Sequence, residues 1–218
     1  MRYRCLVFDH DDTTVNSTAT IHYPAFMAFL KEYYPGRGCT LEEYFVKNFH
    51  PGFIEWCVED FGMSEEMLET ETQFWLNYVD SRIPVSYPGI RELMMRQKEE
   101  GGLVCVISHS MKHNILRDFK QNGLPEPDLI YGWEEPPEHR KPNAWPMEQL
   151  ISQFSLEPSE VLMIDDLKPG YDMAVSCGVP FAAAGWSNDI YEIEQFMRTN
   201  CSNYFKTVDA LAAYLFEP

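Results

Sequence analysis

The stretch Cys5-Leu6-Val7-Phe8-Asp9-His10-Asp11-Asp12-Thr13 decides the fold: an apolar run stops at a carboxylate, and a second carboxylate follows two places on. Two later stretches have the same form. Leu103-Val104-Cys105-Val106-Ile107 stops at Ser108, and Val161-Leu162-Met163-Ile164 stops at Asp165-Asp166. Short apolar runs rich in β-branched residues read as strands buried on both faces, as in a parallel sheet. Ligands of an open parallel sheet collect beyond the carboxyl ends of its strands. Asp9, Asp11, Asp165, Asp166 and the Ser108 hydroxyl are therefore expected in one crevice. Like charges brought that close are costly without a cation, so the pattern implies a divalent metal ion.

Outward from these strands, residues 19–82 contain no convincing strand. Ala19 to Tyr33 carries Ile21, Phe26, Phe29 and Leu30 at helical spacing, and Leu41 to Phe49 and Phe53 to Phe61 read as further helices. Ser64 is a cap for a fourth helix running to about Ser81. From Pro88 the pattern alternates. A helix over 88–99 ends at Gly101-Gly102, strand 103–107 follows, and helix 111–121 ends at Asn122-Gly123. Strand 128–131, a polar loop over 133–142, helix 143–154, strand 161–164, helix 170–177, strand 180–184 and helices 189–198 and 208–215 complete it. Such alternation predicts an α/β fold, a parallel sheet with helices on both faces.

The chain has 218 residues, of which 45% are hydrophobic and 14% aromatic, enough for a folded core with a smaller second domain. Its 17 basic and 34 acidic residues give a net charge of −17. That argues against a nucleic-acid backbone or an anionic membrane as partner, because both require basic patches. An anionic substrate would need local positive charge from a metal and a few Lys or Arg. The cysteines at 5, 39, 57, 105, 177 and 201 show no CxxC spacing, and Cys5 and Cys105 fall in expected core strands. They read as free thiols of a reducing compartment. With neither a signal-like N-terminus nor a long apolar run, the expected location is cytoplasmic.

Phe8-Asp9-His10-Asp11-Asp12-Thr13-Thr14-Val15, Ser108 after its strand, Lys141-Pro142 and Ile164-Asp165-Asp166 resemble, in order, the four motifs of the haloacid dehalogenase-like (HAD) hydrolase superfamily. The helical insert and Tyr87-Pro88-Gly89-Ile90 resemble its phosphoglycolate phosphatase-like branch. The resemblance implies a three-layer Rossmann-like core over 1–15 and 86–218, with an all-helical cap over 16–85 that closes on substrate. It implies a Mg²⁺-dependent phosphatase acting on a small phosphorylated metabolite. Asp9 is the expected nucleophile on phosphorus. Asp11 would protonate the leaving oxygen and then deprotonate water. Ser108 and Lys141 would hold phosphoryl oxygens. The metal ligands would be Asp9, the Asp11 carbonyl, Asp165 and Asp166, directly or through water, with Asp166 favoured. Members that cleave carbon–halogen bonds lack the second carboxylate, and phosphonatases carry Ala there, so Asp11 points to phosphate esters. The family usually has Gly where this chain has Asp12, which is expected to be a solvent-facing turn residue, with an extra metal-shell carboxylate as the alternative.

Other polar residues complete the expectation. Thr13, His10, His109 and Ser110 are candidate substrate contacts, and Asp172 could join the metal shell or serve only as a helix N-terminal acid. His22, Tyr23 and His50 could recognise the leaving group, while Phe26, Phe29, Trp56, Phe74 and Trp75 read as core of the insert. Two alternatives stand beside the phosphatase. One is a phosphomutase using the same Asp9–Asp11 pair, and the other is a catalytically idle binding protein on the same fold. Specificity has no fixed motif, and no oligomeric state is assigned.

Overall fold

The computed structural model describes residues 1–217. These divide into two compact units, one made of Met1–Asn16 and the chain from Val85 onward, the other of Ser17–Pro84. The strands are β1 (Cys5–Phe8), β2 (Val15–Asn16), β3 (Val85–Ser86), β4 (Leu103–Ile107), β5 (Leu129–Tyr131), β6 (Val161–Asp165), β7 (Phe181–Ala184) and β8 (Asn203–Phe205). Six of them form one parallel sheet in the order β5-β4-β1-β6-β7-β8. The helices of this unit are α5 (Ile90–Glu99), α6 (Lys112–Gln121), α7 (Trp145–Phe154), α8 (Lys168–Ser176), α9 (Tyr191–Asn200) and α10 (Val208–Phe216). The chain is thus an α/β protein with a Rossmann-like core, as the alternation predicts.

Side chains along a strand alternate between faces. Leu6, Phe8, Val104, Val106, Leu162 and Ile164 share one face of the sheet and pack with Ile90, Met94, Ile115, Phe119 and Leu211 of α5, α6 and α10. Cys5, Val7, Cys105 and Met163, at the alternate positions, are equally buried. Burial on both faces explains why these strands read as unbroken apolar runs. Phe8 is in register with Val106 on one side and Ile164 on the other. The next residues, Asp9, Ile107 and Asp165, therefore lie in one row, and Ser108 and Asp166 lie just beyond it.

In the second unit a π-helical turn (Thr18–His22) leads into α1 (Tyr23–Tyr33), followed by α2 (Leu41–Phe49), α3 (Phe53–Phe61) and α4 (Glu65–Asp80). Its core is aromatic: Phe26, Phe29, Tyr44, Trp56 and Phe61 gather with Leu30, Cys57 and Met63, and Phe74 packs against them. Thr40 and Glu43 form a reciprocal capping box on α2, and Ser64 accepts from the Met67 amide at the start of α4.

Three short strands were not expected. β2 and β3 pair antiparallel, Val15 with Ser86 and Asn16 with Val85, where the chain leaves and re-enters the first unit. β8 is a half-buried edge strand, Asn-Tyr-Phe, with no apolar run to mark it. The helix expected over 88–99 starts at Ile90, because Gly89 takes φ +86°, a left-handed conformation that glycine adopts without steric cost.

Candidate active site

Asp9 leaves β1 with its amide donating to the Ile164 carbonyl at 2.9 Å, which extends the sheet register by one residue. Its Oδ1 accepts from the Lys141 ammonium at 2.7 Å, and the same Nζ donates to Asp165 Oδ2 at 2.6 Å. Oxygens of Asp9, Asp165 and Asp166 all lie within 4.8 Å of one another. Asp9, Asp12, Asp165, Asp166 and Lys141 are all buried. Four acids and one ammonium are thus buried here, and two of the acids, Asp9 and Asp165, contact the ammonium.

Burial opposes the Lys141 charge, yet Asp165 and Asp9 more than compensate and raise its pKa. Burial pushes Asp165 up to about 7, with Lys141 pulling it back. Asp166 is raised well above the ordinary carboxylate range, by burial first and then by Asp12, Asp165 and Asp9. A cluster of hard oxygen donors with excess negative charge fits a divalent cation such as Mg²⁺. The Asp165 oxygens are both engaged, Oδ2 by Lys141 and Oδ1 by the Leu167 amide at 2.8 Å. Gly170 makes room for this carboxylate, since a side chain at 170 would overlap it.

The loop after β1 is braced from several sides. Thr14 Oγ1 donates to the Asp9 carbonyl at 2.8 Å, Thr13 Oγ1 donates to Asp166 Oδ1 at 3.2 Å, and the Trp186 indole N–H donates to the Thr13 carbonyl at 3.1 Å. The Asp11 carboxylate accepts from Ser110 Oγ at 2.5 Å. Ser108 Oγ accepts from the Ser110 amide at 3.2 Å, so the Ser108 hydroxyl proton points elsewhere.

Asp9, Lys141, Asp165 and Asp166 come together, Ser108 follows the neighbouring strand β4, and Ser110 ties Asp11 to the loop that carries Ser108. Other expectations need correction. Asp12 does not face solvent. It is 3% exposed, with φ +56°, and its charge is the strongest acidic influence on Asp166. Asp adopts left-handed φ more readily than most residues, and this backbone turn carries its side chain inward. Thr13 donates to Asp166 and Ser110 to Asp11. His10, 1% exposed, lies 3.1 Å from Asp118 and stacks on Phe119. His109 contacts the Lys141 carbonyl at 2.9 Å. Asp172 pairs with Lys168 on its own helix rather than joining the acidic cluster. In the helical unit, His22 accepts from the Trp75 indole and Tyr23 donates to the Cys39 carbonyl, while His50 is exposed.

One residue had no sign in the sequence. Trp186 follows β7 and carries no motif signal. Tyr87, read above only as part of the Tyr-Pro-Gly-Ile stretch, has a buried hydroxyl beside Asp12. Burial, then the Asp12 and Asp166 charges, raise its pKa.

The sequence model of the family described as haloacid dehalogenase-like hydrolase matches residues 6–184. The pyrophosphatase PpaX of Halalkalibacterium halodurans is 23% identical over 198 residues, covering 86% of each chain. Among solved structures, a haloacid dehalogenase-like hydrolase from Bacteroides fragilis superposes with a TM-score of 0.80 at 22% identity, covering 96% of this chain and 99% of that one. A predicted phosphoglycolate phosphatase from Haemophilus somnus gives 0.75 at 18% identity, covering 98% of both chains. At these identities the structural matches speak to fold.

Proposed function

The chain belongs to the haloacid dehalogenase-like hydrolases, and from that premise we propose that it is a Mg²⁺-dependent phosphatase that acts on a small phosphorylated metabolite through a phospho-Asp9 intermediate. One observation carries the reading. Lys141 bridges Asp9 and Asp165 beside Asp166, so a carboxylate nucleophile, a fixed cation and a further acid share one point beyond two neighbouring strands, β1 and β6.

In the first step an Asp9 oxygen bonds to phosphorus as the ester P–O bond breaks, and Asp11 gives its proton to the departing oxygen. In the second, Asp11 takes a proton from water as that water attacks phosphorus, and the Asp9–phosphoryl bond breaks to release phosphate. Ser108 and Lys141 hold phosphoryl oxygens, and Lys141 also orients Asp9. Asp9, Asp166 and, by family resemblance, the Asp11 carbonyl would hold Mg²⁺, because the Asp165 oxygens are committed to Lys141 and Leu167. Bound there, the ion supplies positive charge against the phosphoryl oxygens.

The net charge of −17 supports a small-molecule substrate over a nucleic acid, and the free cysteines support a cytoplasmic location. No helix among the described residues is long and apolar enough to cross a membrane. We assign the helical unit to selection of the leaving group. Bridging out residues 19–82 should then broaden specificity, and unchanged relative rates across substrates would refute that role.

A phosphate-release screen tests the whole reading. The panel contains sugar phosphates, phosphoglycolate, nucleotides and, because the PpaX relative is a pyrophosphatase, pyrophosphate. Mg²⁺-dependent release that chelator abolishes and Asp9→Asn eliminates is expected. Isomerised phosphate ester without free phosphate would instead favour a mutase, and no turnover of any member would favour an idle binding protein.

A further inference from the structure

His109 follows Ser108 directly, yet its imidazole reaches a distant segment of the chain. Nε2 lies 2.9 Å from the carbonyl oxygen of Lys141. A carbonyl only accepts, so Nε2 carries the proton. Burial, followed by the nearby Lys141 charge, lowers the pKa of this ring to about 4, which keeps it neutral at physiological pH. The imidazole meets Trp133 edge-on at 5.8 Å, and the Arg140 guanidinium covers the same indole at 3.9 Å. Asn143 then donates to the carbonyls of Pro137 and Arg140. The segment around Lys141 is thus fixed by aromatic packing and main-chain bonds. The Trp133 amide ties its start to the Ser110 carbonyl at 3.0 Å, and His109 ties Lys141 itself to the loop after β4.

We propose that His109 is a positioning residue for Lys141, holding the main chain from which the ammonium reaches Asp9 and Asp165. A lysine side chain is a flexible four-carbon stem. Its charge stays in one place only if its backbone anchor does. Ser108 and Lys141 come from separate loops and would hold the same phosphoryl group, and the His109 bond links the two loops directly at Lys141, from a side chain on one to the main chain of the other. The inference rests on the phosphatase reading for its kinetic consequence alone, because the placement of Lys141 can be measured without turnover.

The test compares wild type with His109→Phe, which keeps an aromatic ring against Trp133 but removes the donor, and with His109→Gln, whose amide restores a donor at similar reach. The Lys141 ammonium signal in ¹⁵N-resolved NMR spectra, identified by its loss in Lys141→Arg, reads the position directly. It should be unchanged in His109→Gln, and shifted and faster-exchanging in His109→Phe. With p-nitrophenyl phosphate and Mg²⁺, His109→Phe should lower kcat by about 10- to 100-fold, the scale of a small misplacement. KM should change little, and His109→Gln should recover most of the rate. An unchanged Lys141 signal in His109→Phe overturns the proposal whatever the reaction. A raised KM with intact kcat also overturns it, by making His109 a substrate contact. Should His109→Phe fail to fold, His109→Asn takes its place, since its amide is one methylene too short, and a wild-type signal there is equally fatal. If the wild type releases no phosphate while its Lys141 signal still depends on His109, the phosphatase reading falls and the positioning role stands.

Discussion

Asp11 is held by the Ser110 hydroxyl at 2.5 Å, and its proposed work divides the reaction in two. Asp11→Asn keeps shape and polarity but cannot carry a proton, a loss that costs about 10²–10⁴ in rate. An aryl phosphate has a good leaving group, so attack by Asp9 needs little protonation, whereas water still needs a base. The variant should therefore release a burst near one equivalent of phenol and then turn over slowly, with phosphate trapped on Asp9. Wild-type turnover of an alkyl phosphate by Asp11→Asn would move the role to another group. Asp166 offers a second test. Without metal at about pH 8 it sits buried among Asp12, Asp165 and Asp9, so Asp166→Asn relieves repulsion and should melt higher than wild type. Mg²⁺ at about 100 times its Kd adds about 2.7 kcal/mol to a protein that binds it only when folded, and the order should then reverse. A variant that keeps the wild-type Mg²⁺ shift would remove Asp166 from the ligand set. At this scale the sequence was legible where a residue ends a buried strand: Asp9, Ser108, Asp165 and Asp166 have their positions set by register. It was illegible inside the loops. Thr13, Ser110 and His10 hydrogen-bond to acids of the protein itself, which no motif signals, and a backbone turn at φ +56° decided where Asp12 went.

Elements with strong local signals were readable nearly to the residue. The reciprocal Thr40–Glu43 cap marks α2, and Gly62, in the left-handed conformation with φ +67°, ends α3. β2, β3 and β8 are too short to show a period, and their pairing is decided by distant residues. α4 hides something different. Glu71 shares its helical face with Trp75 and Val79, four and eight residues on, and is 6% exposed. Burial, with His22 opposing, pushes its pKa from 4.5 to about 7. Between those pH values the folded protein holds a proton that the unfolded chain has released, so stability falls as pH rises through this window. Above it the penalty is complete. Glu71→Gln cannot ionise and should flatten that fall. It should exceed wild type by about 2–3 kcal/mol at about pH 8 in urea unfolding, and by much less at about pH 5. Parallel pH dependences for the two proteins would show that Glu71 is solvated in solution.

For the molecule as a whole, the net charge of −17 sets a problem for any anionic substrate. The long-range field repels it, and the nearby attraction comes from Lys141 and, once bound, the metal ion. These two influences act over different ranges. Lys141 is buried and acts at contact, where salt screens little, whereas surface acids act through solvent, where the screening length falls from about 30 Å at 0.01 M salt to about 8 Å at 0.15 M. Added KCl should therefore weaken the repulsion more than the attraction. With Mg²⁺ held saturating, so that competition at the metal site does not intrude, kcat/KM for a doubly charged phosphomonoester should rise by a few fold over that range, while kcat should stay nearly constant because the bound complex is shielded from bulk salt. The comparison is made by initial rates at several KCl concentrations. A steady fall in kcat/KM would mean that the entrance to the site is locally positive despite the net charge, and that basic residues outside the Lys141 cluster steer the substrate in.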